Sequence, residues 1–385
     1  MSFLEQNHLS KQERINLGSY YTKPQLVNLV YKLLNNNVQN INKYTILDSS
    51  CGYGSFLSNE GIVRNRKIGA DIDSVAVENA RENINNIETV VHNSLISLSR
   101  KQYGLANDEK LIIVGNPPYN DVTSIIRNEI KNKVKHDIHP DLRTRDLGMS
   151  FLRSYAKLDP DFVCVLHPLS YLIKKANFDS LGDFAHKYNL VDSVVVSSAE
   201  FNGTAPGKTY FPIIIALYAK DDEGMVYQNI EKFVFTTKEG PKFSLSDMNS
   251  IRNYLSKYPN QKWVKPSEAV AKFWTMRDIN ALKRSKTFVD DINENTILVT
   301  PNKLAYYCYV DVFKKFIEYV PYYFGNCDVF IDNEHFSKIK DHFIALSAKS
   351  HPELNTFTKK NIENPEGYVK SYFKSLLKEH YVGIK

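Results

Sequence analysis

The tetrapeptide Asn116-Pro117-Pro118-Tyr119 directly follows the apolar run 111–115. Two successive prolines fix φ twice and supply no backbone N–H, so the chain is held rigidly there. The Asn116 side chain and the Pro117 carbonyl both offer acceptor oxygens, a pairing that suits a target bearing an NH₂ group. Tyr119 adds an aromatic plane on which a flat ring can stack. The amine of a heteroaromatic ring is a poor nucleophile because its lone pair is delocalised. Two acceptors on its hydrogens favour a pyramidal nitrogen and aim the lone pair at an electrophile. The bland alternative is a plain turn. The position at a strand end, after a glycine loop, favours chemistry.

That earlier loop is Asp48-Ser49-Ser50-Cys51-Gly52-Tyr53-Gly54-Ser55-Phe56. Glycines at 52 and 54 permit a tight turn and close approach of a ligand to the backbone. Asp71 ends the next apolar run, where a carboxylate can accept bonds from both hydroxyls of a ribose. The loop lacks the phosphate-binding GxxG turn and no Walker lysine follows it. A nucleoside without a pyrophosphate fits better than a dinucleotide or ATP. A purely structural strand–helix turn is the competing reading of the two glycines.

The elements that must position these residues alternate. Strand-like runs occupy 44–47, 67–71, 89–92, 111–115, 162–167, 191–197 and 210–219. Helical spacing is clearest over 24–35, with Leu26, Val27, Val30, Leu33 and Leu34 on one face, and over 75–86, with Ser74 as N-cap. Such alternation predicts a mostly parallel sheet with helices on both faces, whose ligands bind at the carboxyl ends of the strands. Past residue 220 the pattern loses regularity and becomes rich in aromatics, including Trp263, Trp274, Tyr306, Tyr307 and Tyr309. A boundary near 240 divides the chain into domains 1–240 and 241–385.

The chain has 385 residues, 43% of them hydrophobic, and a net charge of +6. Residues 241–385 hold 22 Lys and Arg against 16 Asp and Glu, while the first 240 are balanced. The basic excess therefore lies in the C-terminal part, as a polyanion partner would require, although a solvated surface is the simpler alternative. The polar start is unlike a signal peptide, and no long apolar run predicts a membrane span. Four scattered cysteines without a CxxC pair argue against zinc or a disulfide framework and for a cytoplasmic setting.

Taken together, these motifs resemble the NPPY-type adenine amino-methyltransferases of DNA, which place their cofactor motifs before the catalytic one. The resemblance spans roughly residues 18–220. Gly18 to Pro24 is similar to the motif whose Thr, here Thr22, holds the methionine part of S-adenosylmethionine. Lys23 stands where the family usually passes straight to proline. The loop from Asp48 is similar to DPACGSGxF, with two serines replacing Pro and Ala. Asn93-Ser94-Leu95 stands where Asp-Ser-Leu is common, so Asn93 would meet the cofactor's adenine amine through an uncharged oxygen.

The resemblance implies a Rossmann-like methyltransferase fold with a C-terminal mixed α/β target-recognition domain. Around S-adenosylmethionine it places Tyr21, Thr22, Asp48, Cys51, Gly52, Gly54, Asp71, Ile72, Asn93, Ser94 and Asn116. Asn116, Pro117, Pro118 and Tyr119 would be catalytic. Tyr119 and Phe201 would sandwich an adenine flipped out of duplex DNA, with Tyr210 and Phe211 as alternatives to Phe201. No metal is required. Arg127, Lys131, Lys133, Lys135, Arg143 and Arg145 would contact phosphates, with a solvated surface as the alternative since Glu129, Asp137, Asp141 and Asp146 dilute the stretch. Lys283-Arg284-Ser285-Lys286 is a second basic cluster that could touch the backbone. The partner is double-stranded DNA, with a restriction endonuclease as a separate protein where the chain serves a restriction-modification system. Similar tetrapeptides serve amino-methylation of RNA, of protein glutamine and of cytosine N4, which are the alternatives. The basic C-terminal part and Asn116 favour adenine in DNA.

Overall fold

The computed structural model describes residues 22–96, 99–119, 137–201, 210–359 and 361–383. It divides into two compact units, Met1–Lys242 and Phe243–Lys385.

The first unit is built on a seven-stranded sheet of β1 (Thr45–Asp48), β2 (Lys67–Asp71), β3 (Ile87–Val91), β4 (Leu111–Gly115), β5 (Phe162–Pro168), β6 (Tyr188–Ser197) and β7 (Pro212–Lys220). The strand order is β3-β2-β1-β4-β5-β7-β6. Strands β1 to β5 pair in parallel, whereas β7 runs antiparallel between β5 and β6. This is the expected Rossmann-like α/β arrangement. The chain winds outward from β1 in one direction and from β4 in the other. The gap between the carboxyl ends of β1 and β4 is thus the switch point where such sheets bind ligands.

Helix α1 (Pro24–Asn37) starts on a proline and buries Leu26, Val27, Val30, Leu33 and Leu34. These join Ile46, Ile112, Val114, Cys164, Leu166, Ile213 and Ile215 in one core cluster. The intervening strand residues Leu47, Ile113, Val163 and Val165 are equally buried. Because strand side chains alternate, they face the other way. Helix α2 (Ser74–Asn83) is capped by Asp73, which accepts the N–H groups of Val75 and Ala76, rather than by Ser74. The helix also ends earlier than 86, because Asn86 turns to a positive φ before β3. Sequence reasoning missed helix α3 (Leu147–Leu158), capped by Asp146. Its apolar residues share one broad face, opposite Arg153 and Lys157, and ten of the twelve residues are buried.

The second unit pairs β8 (Ala271–Trp274) antiparallel with β9 (Thr296–Val299). Its longer helices are α4 (Leu304–Lys315), α5 (Asn333–Ala348) and α6 (Pro365–Leu377). Tyr309 lies at their centre, with the rings of Phe336, Phe343, Tyr372 and Phe373 at 5.1–5.9 Å. All four cysteines are buried and free. Among the described residues, no helix is long and apolar enough to cross a membrane.

Candidate functional site

β1 delivers Asp48 to the switch point, buried. Its Oδ1 accepts the Ser50 N–H at 3.1 Å. The same oxygen lies 2.8 Å from where a Cβ on Gly115 would stand, at a φ of +153°. Gly115 thus lets β4 run close beside Asp48. Burial pushes this carboxyl up to about 8, against the pull of the Ser50 N–H, and the nearby Asp71 charge raises it further.

The loop then turns back onto β2. The Cys51 N–H donates to the Ala70 carbonyl at 2.9 Å, and its buried thiol is pushed well above the usual range by burial. Gly52 and Gly54 adopt φ of +51° and +80°. That geometry brings the Gly52 N–H to 2.8 Å from Asp71 Oδ2, while the Asp73 N–H reaches Oδ1 at 3.0 Å. Burial raises the Asp71 carboxyl, and these N–H donors hold it down in part. A carboxylate has about four acceptor positions, so two backbone bonds leave room for a pair of hydroxyls. Ile72 follows with 58% exposure, an apolar surface beside the carboxylate. At Gly54 a Cβ would meet Ile84 Cδ1 at 2.3 Å, which ties the turn tightly to α2.

At the end of β3, Asn93 Oδ1 accepts the Leu95 N–H at 3.0 Å and Nδ2 donates to the Asp137 carbonyl at 3.0 Å. Ser94 is buried, its hydroxyl donating to the Ser49 carbonyl at 2.7 Å and accepting from Tyr103 at 2.9 Å. Ser94 therefore buttresses the β1 loop. It does not present a free hydroxyl to a ligand.

At the end of β4, Asn116 Nδ2 donates to the buried Thr22 Oγ1 at 3.2 Å. The other end of the amide, Oδ1, is buried and has no hydrogen-bond partner among the described residues. Pro117 is buried and Tyr119 half-buried. Tyr119 packs against the α1 core, and its Cβ lies 3.1 Å from where a Cβ on Gly148 would stand. Glycine at the start of α3 thus leaves space for the tyrosine.

Of the six other buried side-chain atoms without partners among the described residues, Ser50 Oγ and His92 Nε2 lie at this end of the sheet. With Asn116 Oδ1 they mark the carboxyl ends of β1, β3 and β4. A buried polar group left unpaired costs about 1–3 kcal/mol, so three at one end of a sheet point to a polar ligand. Sequence reasoning missed Ser50, His92, Gly115 and Gly148 as site residues. Ser50 was visible only as a departure from the DPAC pattern, and His92 only as a strand end.

Phe201 is 3% exposed and belongs to the core cluster, so it fills the interior and offers no free ring face. Phe211 is half-buried against the same cluster, whereas Tyr210 is 44% exposed. Tyr21, Arg127, Lys131, Lys133 and Lys135 lie outside the described residues. Arg143 and Arg145 are exposed, as are Lys283, Arg284 and Lys286.

No family model matches the chain, and no curated protein matches it. Solved structures do resemble it. One is the methyltransferase subunit of a type I restriction-modification system from Streptococcus thermophilus, at 12% identity and a TM-score of 0.41. That match covers 83% of this chain and 57% of the other. A second is magnesium protoporphyrin IX methyltransferase from Synechocystis, crystallised with bound SAM, at 15% identity and a TM-score of 0.32. It covers 57% of this chain and 88% of that one. A third is a dimethyladenosine transferase from Plasmodium falciparum, at 13% identity and a TM-score of 0.31, covering 52% and 63%. At such identities and scores the chemistry must be argued from the site.

Proposed function

We propose that this protein is a site-specific methyltransferase that uses S-adenosylmethionine to methylate the N6 amine of an adenine flipped out of duplex DNA. The observation that carries the reading is the Asn116 amide. Thr22 holds one end, and the other presents a buried acceptor without a partner among the described residues, at the switch point of the sheet.

The residues fit such a cofactor. Asp71, oriented by Gly52 and Asp73, would take the ribose hydroxyls, with Ile72 against the adenine ring. The positive-φ turn at Gly52 and Gly54 lets the loop backbone approach the nucleoside. Asp48, Cys51 and Thr22 would line the methionine side. S-adenosylmethionine supplies an electrophilic methyl group when bound.

The chain's own work is positioning. Asn116 Oδ1 and the Pro117 carbonyl accept the two amine hydrogens of the target, which turns the nitrogen lone pair out of conjugation. Tyr119 offers a ring face to the base, and its half-buried seat over Gly148 limits its freedom. Orientation of this kind supplies several kcal/mol of a barrier without a strong base. An amine target with two hydrogens matches the acceptors better than a hydroxyl or thiol does. The excess positive charge of residues 241–385 favours a polyanion as the substrate's carrier.

The test is long-read modification sequencing of plasmid DNA from cells without other methyltransferases, expressing the protein or its Asn116→Ala variant. Methyladenine in one defined sequence motif, lost in the variant, is the expected result. Removing the acceptor should lower the transfer rate at least 100-fold, by analogy with loss of one preorganised hydrogen-bond partner in other active sites. Unmodified DNA, together with methyl transfer to RNA or to protein glutamine in extracts, refutes the DNA reading.

A further inference from the structure

Segment 256–268 of the second unit has features that the amine chemistry does not use. Trp263 is 79% exposed and Tyr258 65%, more than any other large apolar side chain among the described residues. Large aromatics in solvent forgo the burial that usually makes them dominate cores.

The backbone beneath them is firmly pinned. Asn260 is buried, with Nδ2 donating to the Leu298 carbonyl at 2.9 Å and Oδ1 accepting the Leu298 N–H at 2.8 Å. Its amide pairs with β9 as the peptide of a neighbouring strand would. Gln261 Nε2 donates to the carbonyls of Asn293 and Thr296 at 2.7 and 3.1 Å. The Lys257 carbonyl accepts the Met276 N–H at 2.8 Å, and the Ser256 carbonyl accepts the Tyr307 hydroxyl at 2.9 Å. A turn closes where the N–H groups of Trp263 and Val264 both meet the Asn260 carbonyl. Fixed backbone with free rings is how a binding surface avoids the ordering cost of a loose loop.

Charge indicates the partner. Lys257 sits 5.8 Å from the Tyr258 ring centroid and is paired with Asp328. Lys262 and Lys265 flank Trp263 and are exposed; the Lys265 N–H donates to Glu268 Oε2 at 2.9 Å, but neither lysine's ammonium is in an ion pair among the described residues. Protein-docking faces are depleted in lysine, whereas surfaces that meet DNA phosphates are rich in it.

We propose that residues 257–265 form a duplex DNA contact in which Lys262 and Lys265 meet backbone phosphates while Trp263 and Tyr258 pack on the sugars and base edges of the adjoining groove. It rests on the DNA reading above and names residues that carry it.

The full chain with Trp274→Phe leaves Trp263 as the sole tryptophan. Titration with duplex DNA bearing the methylated motif should quench its emission. Trp263→Ala in the otherwise native chain should weaken that binding about tenfold. The pair Lys262→Ala and Lys265→Ala should reduce the slope of log affinity against log salt by about 2. An unchanged unfolding midpoint followed by the emission of Trp274, which lies in the same unit, shows that folding is intact in the Trp263→Ala chain and in the lysine variants. If the native protein methylates DNA while Trp263 emission stays constant and Trp263→Ala binds as tightly, the contact is refuted and the DNA reading stands. If the native protein neither binds nor methylates DNA, that reading fails and the contact falls with it.

Discussion

Replacing Asp48 by Asn should stabilise the first unit at pH 8 and leave it nearly unchanged at pH 5. Asp48 is buried at the end of β1, and burial lifts its carboxyl from the ordinary 3.8 to about 8. Between those values the native state keeps a proton that the unfolded chain has released, so stability falls as pH rises through the window. At about 1.4 kcal/mol per unit, the native protein carries a penalty of at most about 5 kcal/mol at pH 8 and about 2 at pH 5. Asparagine never ionises and keeps an oxygen for the Ser50 N–H. Its added N–H groups, packed near Gly115, cost about 2 kcal/mol if unpaired. The balance is about 3 kcal/mol in favour of the variant at pH 8 and near zero at pH 5. Both tryptophans lie in the second unit, so their emission would follow the wrong transition. Native-state hydrogen exchange of the Leu47 and Ile113 amides, in β1 and β4, reports on the right one. A stability difference independent of pH would show that Asp48 is ionised in the native protein and would refute the reasoning.

Asp71→Ala should weaken S-adenosylmethionine binding about 10- to 100-fold in calorimetry, since hydrogen bonds to a charged partner contribute about 1.5–3 kcal/mol. Native affinity in that variant would remove Asp71 from the ribose. Gly54→Ala should cost about 2–4 kcal/mol, because the φ of +80° strains any L-residue and the new Cβ meets Ile84 at 2.3 Å. Adding Ile84→Val removes the colliding Cδ1 and should recover the steric part only, as read from denaturant midpoints. For His167, burial lowers the imidazole to about 4, with Nε2 accepting from the Tyr218 hydroxyl at 2.7 Å. Stability present above pH 6.5 should therefore fall by about 3 kcal/mol toward pH 4. An NMR titration of the ring with a midpoint near 6.5 would sink this.

The sheet was legible because each strand is a short apolar run ended by a turn residue, and such runs leave few alternatives. The direction of β7 was not, since the buried stretch Ile213–Ile214–Ile215 reads alike in either sense. Helix α3 was legible yet not read: Asp146 before Leu147 is a good cap, and Phe151, Leu152, Tyr155 and Ala156 recur on one face. Ser74 and Asp73 are both competent caps. The chain uses Asp73, the residue whose own N–H is already fixed by Asp71. Phe201 illustrates the opposite difficulty: an aromatic near a strand end looks the same in sequence whether it faces a ligand or the core.

What the sequence carried least was the layer behind the site. Nothing in the spacing of Thr22 and Asn116, 94 residues apart, reveals that one orients the other. Nor does Gly115 announce that a side chain there would strike Asp48, or Gly148 that one there would strike Tyr119. Yet these contacts make the motif more than a turn. A flexible Asn beside two prolines would satisfy its oxygen by rotating toward water or a backbone N–H. Held by Thr22, Asn116 keeps a buried acceptor with no partner among the described residues, a cost that a bound donor would relieve. On the proposed reading that cost is preorganisation: the acceptor would need neither desolvation nor turning when a target amine arrived, leaving its hydrogen-bond energy for orienting the nitrogen.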